Sequence, residues 1–101
     1  MSAKLGILVA SDQFFPYVLH LTHAACATGR EVHIFFTGTG VRMTQMPGFQ
    51  ELAEKATLSV CDASFQAAGL SEAVPGLSAN YFTSQAKNAE IINLCDRFLV
   101  L

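Results

Sequence analysis

Residues 5–37, LGILVASDQFFPYVLHLTHAACATGREVHIFFT, decide the fold class. The run 5–10 is apolar, contains Gly6 and stops at the polar pair Ser11-Asp12. Short Ile- and Val-rich runs of this kind suit strands buried on both faces of a parallel sheet. From Phe14 the apolar residues recur as Phe14, Val18, Leu21, Thr22, Ala25 and Cys26, near helical spacing. Ser11 or Asp12 is placed to cap that helix. Pro16 falls in its first turn, where a missing N–H does no harm, and Gly29 ends it. Residues 31–37, E-V-H-I-F-F-T, are β-branched and aromatic and predict the next strand. Strand, helix, strand is a βαβ unit, and its crossover is expected to be right-handed.

The same alternation continues outward. Thr37-Gly38-Thr39-Gly40 is a loop leaving the second strand, and 41–48 has room for a short helical turn. Residues 49–55 read as a short helix with Phe49, Leu52 and Ala53 on one side. Residues 57–61, T-L-S-V-C, predict a third strand, followed by a helix over 62–68 that stops at Gly69. A loop over 70–80 carries the turn dipeptide Pro75-Gly76. Residues 83–94 read as a helix burying Ala86, Ala89, Ile91 or Ile92, and Leu94, and 97–101 as the last strand. The expectation is one α/β domain over residues 1–101. Its mainly parallel sheet would have four to five strands, four of them principal, with helices on both faces.

Bulk composition narrows the function. Of 101 residues, 51 % are hydrophobic and 14 % charged, and the formal net charge is −2. Soluble domains average roughly 25 % charged residues, so surplus apolar surface points to burial in an oligomer. No basic run exists to hold nucleic acid, and no basic amphipathic helix to lie on a membrane. No apolar stretch reaches the length of a span. The run 5–10 is too short for a signal-peptide core, so the cytoplasm is the expected compartment. Cys26, Cys61 and Cys95 are an odd, widely spaced set without a C-x-x-C pair. Neither a disulfide framework nor a zinc site is indicated.

In open parallel sheets, ligands gather where loops leave the carboxyl ends of strands. Here those loops carry Ser11, Asp12, Thr37, Gly38, Cys61 and Asp62, which form the expected binding crevice. Cys61 ends a strand and begins a helix. Free N–H groups and the helix dipole there favour the nucleophilic thiolate, while the adjacent Asp62 carboxylate opposes it. A buried structural cysteine is the plainer alternative, and it suits Cys26 and Cys95 better. His20 and His23 lie one helical turn apart, but no third ligand stands near them in sequence, so no metal is expected. His33 sits within a strand and is expected to point to the opposite sheet face. Thr37-Gly38-Thr39-Gly40 matches neither phosphate-binding glycine pattern. It reads instead as a turn that lets backbone pass close to a neighbouring loop.

Several motifs in order resemble the DsrE-like family. They are the strand 4–10, the helix exit Ala27-Thr28-Gly29-Arg30-Glu31-Val32, the segment Ile34-Phe35-Phe36-Thr37-Gly38-Thr39-Gly40-Val41, and Val60-Cys61-Asp62-Ala63-Ser64 followed by Gly69-Leu70. The resemblance spans almost the whole chain. It implies a three-layer flavodoxin-like fold, a homo-oligomer (trimer or hexamer), and sulfur relay with Cys61 as the sulfur-accepting thiol. It also implies sulfur-donor and sulfur-acceptor proteins as partners and no cofactor. The chain departs from relay members in one respect. They often carry basic residues in the helix after the cysteine, whereas Phe65-Gln66-Ala67-Ala68 has none. The competing reading is a non-catalytic module of the same fold, either binding a nucleotide or flavin or serving as a regulatory subunit.

Overall fold

A computed structural model describes residues 3–70, 74, 77 and 81–101. Five strands form one all-parallel sheet: β1 (Lys4–Val9), β2 (Glu31–Phe36), β3 (Thr57–Cys61), β4 (Phe82–Thr83) and β5 (Arg97–Val100). Their order across the sheet is β4-β3-β2-β1-β5. The helices among the described residues are α1 (Phe15–Ala27), α2 (Phe49–Lys55), α3 (Asp62–Ala67) and α4 (Gln85–Leu94), with a 3₁₀ helix over Gly38–Gln45. Helices cover both faces, giving the expected three-layer, flavodoxin-like α/β architecture. No helix among the described residues is long and apolar enough to cross a membrane.

Strand alternation divides the core in two. Ile7 and Val9 of β1, Ile34 and Phe36 of β2, and Leu58 and Val60 of β3 face α1, α2, α3 and the 3₁₀ helix. Val18, Phe49, Leu52 and Phe65 meet them from those helices. Each such side chain contributes about 1.5–3 kcal/mol by leaving water. The second face is thinner: Phe35, Cys61 and Ile91, flanked by Leu8, Cys95 and Phe98. Right-handed crossovers explain the division. From β1 to β4 the chain steps one way across the sheet, so its helices share a face. From β4 it returns past β1 to reach β5, which puts α4 on the other face.

Local differences from the sequence reading have physical reasons. α1 starts at Phe15 with Phe14 as its cap and without a capping side chain. Ser11 instead accepts a bond from the Gln13 N–H at 3.2 Å. Neither Ser11 nor Asp12 is therefore the cap. β4 is a two-residue strand that takes Thr83 out of the expected helix. Within α4 only Ile91 is buried, while Ala86, Ala89, Ile92 and Leu94 are exposed. The helix rides over Gly6, where an added Cβ would sit 2.8 Å from Phe98 and 3.0 Å from Ile91, so its contact with the sheet is narrow. The turn expected at Pro75-Gly76 lies outside the described residues.

Candidate functional site at the end of β3

The order β4-β3-β2-β1-β5 makes the end of β3 a special place. The chain leaves β3 into α3 on one face and leaves β4 into α4 on the other. Neighbouring strands whose exits part in this way open a crevice between them. Cys61 is the last residue of β3 and pairs in register with Thr83 of β4. Its side chain lies on the α4 face and the residue is only 5 % exposed.

Three other chain segments bring polar groups to this point. Thr37 follows β2, Ser64 lies in the first turn of α3, and Gln85 begins α4. The Gln85 Nε2 donates to Thr37 Oγ1 at 2.8 Å. The Gly38 N–H donates to Ser64 Oγ at 3.0 Å. The Thr37 and Ser64 hydroxyls stand 3.4 Å apart, and either can donate to the other. Each hydroxyl oxygen already accepts from an N–H group. Only one of the two protons is needed between them, so the other is free to turn to Cys61.

These groups decide the acidity of Cys61. Burial pushes its pKa up, but donors outweigh it and the net value lies below the ordinary one. The Ser64 hydroxyl leads, followed by the Ser64 N–H, the Thr37 hydroxyl and the Gln85 side chain. Groups that donate to the sulfur favour its charged form. Asp62, the expected opponent of the thiolate, turns away: its Oδ2 accepts from Gln66 Nε2 at 2.8 Å. Cys95 behaves in the opposite sense. Burial and then the Asp96 carboxylate push its thiol up. Cys26 donates to the Lys55 carbonyl at 3.2 Å and ties α1 to the end of α2.

Of the expected crevice residues, Cys61, Thr37 and Gly38 meet. Asp62 is adjacent but faces Gln66. No hydrogen bond joins Ser11 or Asp12 to this group among the described residues. Ser64 and Gln85 join this group and were not among the residues expected from sequence. Ser64 carries a usable signal, being three residues after a cysteine at a helix start, within one turn. Gln85 carries none. The glycine loop is consumed by packing: a Cβ on Gly40 would stand 2.2 Å from the Val9 carbonyl oxygen. The Gly40 N–H donates to Thr37 O, and Gly38 uses its own on Ser64. The loop therefore acts as a close-approach turn.

Models of known protein families yield no match to the chain, and curated proteins yield none either.

The histidines stand apart from Cys61. His23 Nε2 lies 3.9 Å from Glu51 Oε2, linking α1 to α2. His33 points to the α4 face, as expected of it. Its Nε2 lies 3.3 Å from Glu31 Oε1, at an angle that makes no hydrogen bond.

Proposed function

We propose that the chain is a sulfur-relay protein in which Cys61 accepts sulfane sulfur and passes it on. The observation that carries this reading is the convergence of Ser64, Thr37 and Gln85 on a cysteine at the β3/β4 crevice. Sulfur relay needs a thiolate that is nucleophilic near neutral pH and a site that tolerates a second anionic sulfur. Neutral donors from three segments supply that support without a cation, which answers the lack of basic residues in α3. In the loading step the Cys61 thiolate attacks the outer sulfur of a donor R–S–SH. The Sγ–S bond forms, the donor S–S bond breaks, and the electron pair leaves with R–S⁻. An acceptor thiolate then repeats the step on Cys61–S–SH and regenerates the Cys61 thiolate.

The reading includes assembly as a homo-oligomer and protein partners that supply and take the sulfur. Its test is mass spectrometry after incubation with a sulfane-sulfur donor. One added sulfur on the peptide containing Cys61, and none on those containing Cys26 or Cys95, is the expected result. Equal sulfur on all three cysteines, or none, overturns it.

A further inference from the structure

Beside Cys61, on the α4 face, the described residues leave the sheet partly uncovered. β4 pairs only with Val60 and Cys61, so among the described residues the earlier part of β3 has β2 on one side and no strand on the other. α4 runs over β1 and β2 rather than over β3. The result is an open trough of about 370 Å³, lined by Thr57, Ser59, Tyr81, Thr83, Lys87 and Glu90 among others. Its volume falls within the roughly 300–1,000 Å³ of small-molecule sites.

Cys61 lies just beyond the residues that line the trough, on the same strand. Side chains two apart on a strand share a face, so Thr57, Ser59 and Cys61 form one row. Thr83, at the trough's edge, is the register partner of Cys61. Four hydroxyls line the trough, each able to donate and accept. Its helical wall carries one cation and one anion, Lys87 and Glu90, with Nζ 3.3 Å from Oε2. An exposed pair one helical turn apart contributes little to stability. It can therefore part to receive a ligand bearing both charges.

We propose that this trough is a subsite for zwitterionic low-molecular-weight thiols, and for their persulfides and disulfides, held with their sulfur toward Cys61. Lys87 takes the ligand's carboxylate, Glu90 its ammonium group, and the hydroxyl row its remaining polar atoms. The proposal rests on Cys61 being the reacting thiol and names an amino-acid-type thiol as donor or acceptor. The persulfide step keeps the balance given above. With a disulfide probe, the Cys61 thiolate forms a mixed disulfide and releases one thiolate of the probe.

The test compares three disulfides on the full chain: cystine (zwitterionic), cystamine (cationic) and dithiodipropionate (anionic). Rates of mixed-disulfide formation at Cys61 are divided by each probe's rate with a free model thiol. Cystine is expected to lead both others by roughly tenfold or more, the scale of one charged hydrogen bond. Lys87→Met is expected to slow cystine and dithiodipropionate but not cystamine, and Glu90→Gln to slow cystine and cystamine but not dithiodipropionate. Iodoacetamide, which is uncharged, should alkylate Cys61 equally in all three proteins. Equal normalised rates for the three probes overturn the proposal, as does uniform slowing by either substitution. Cystine selectivity without sulfane-sulfur loading overturns the relay reading and leaves the subsite standing. Loading without selectivity does the reverse.

Discussion

At the scale of single residues, Cys61 is set apart from Cys26 and Cys95 by its donors. All three are small and at least half-buried side chains, and Cys61 has its thiol held below the ordinary value whereas Cys95 has its thiol pushed above it. Ser64 is the largest of the favourable contributors. Ser64→Ala keeps the N–H but removes the hydroxyl, so the Cys61 pKa must rise. The alkylation profile of Cys61 is then expected to move to higher pH. At neutral pH its rate should fall by roughly tenfold, the scale of a hydrogen bond to a charged group. Cys95, governed by burial and Asp96, should keep its profile and serves as the internal reference. A profile of Cys61 that does not move would remove Ser64 from the site. Cysteine at the end of a strand was legible as a candidate from sequence, because strand ends and helix starts leave a signal. The donors were not: Gln85 lies 24 positions after Cys61 and on a different helix.

At the scale of elements, the turn that follows β2 fixes the position of Thr37. Gly40 lies against the Val9 carbonyl, and Gly38 adopts a φ of 54°, in the left-handed region that favours glycine. Gly40→Ala would drive a methyl group into backbone that has no room to yield. A loss of about 3 kcal/mol is expected, at the upper end of overpacking costs, measured by chemical denaturation. Gly29→Ala meets nothing within 4 Å and is strained only by its φ of 81°, so it should cost less than Gly40→Ala. The opposite order would mean that the turn is not held against β1. Strand β3 and helices α2 and α3 were legible nearly to the residue, since their periodicity and stop signals agree. β4 was hidden because two paired residues carry no period. The burial of α4 was misread because one narrow contact through Ile91, over a glycine, decides which side faces in.

At the scale of the molecule, the second face is the unfinished one. Ile92 and Leu94 of α4 are about half exposed, and Val100 of the edge strand β5 is 63 % exposed. Edge strands with apolar side chains favour pairing between copies, which agrees with the surplus of apolar residues in the sequence. Light scattering at micromolar concentration is expected to give a multiple of the 10.9 kDa chain mass. Leu94→Glu together with Val100→Lys should reduce it toward the single-chain value, and a monomer before substitution would refute the expectation. The sequence by itself determined the α/β class, the run of most elements and the cysteine at a strand end. Those follow from local pattern, because period, turn residues and strand length are properties of short segments. Only the tertiary structure decided that β4 lies beside β3, and therefore that the crevice opens at Cys61. That order depends on the direction in which each crossover steps across the sheet. The same step carries Gln85 to Thr37 and leaves the trough uncovered by α4, since a return from β4 to β5 sends α4 over β1 and β2.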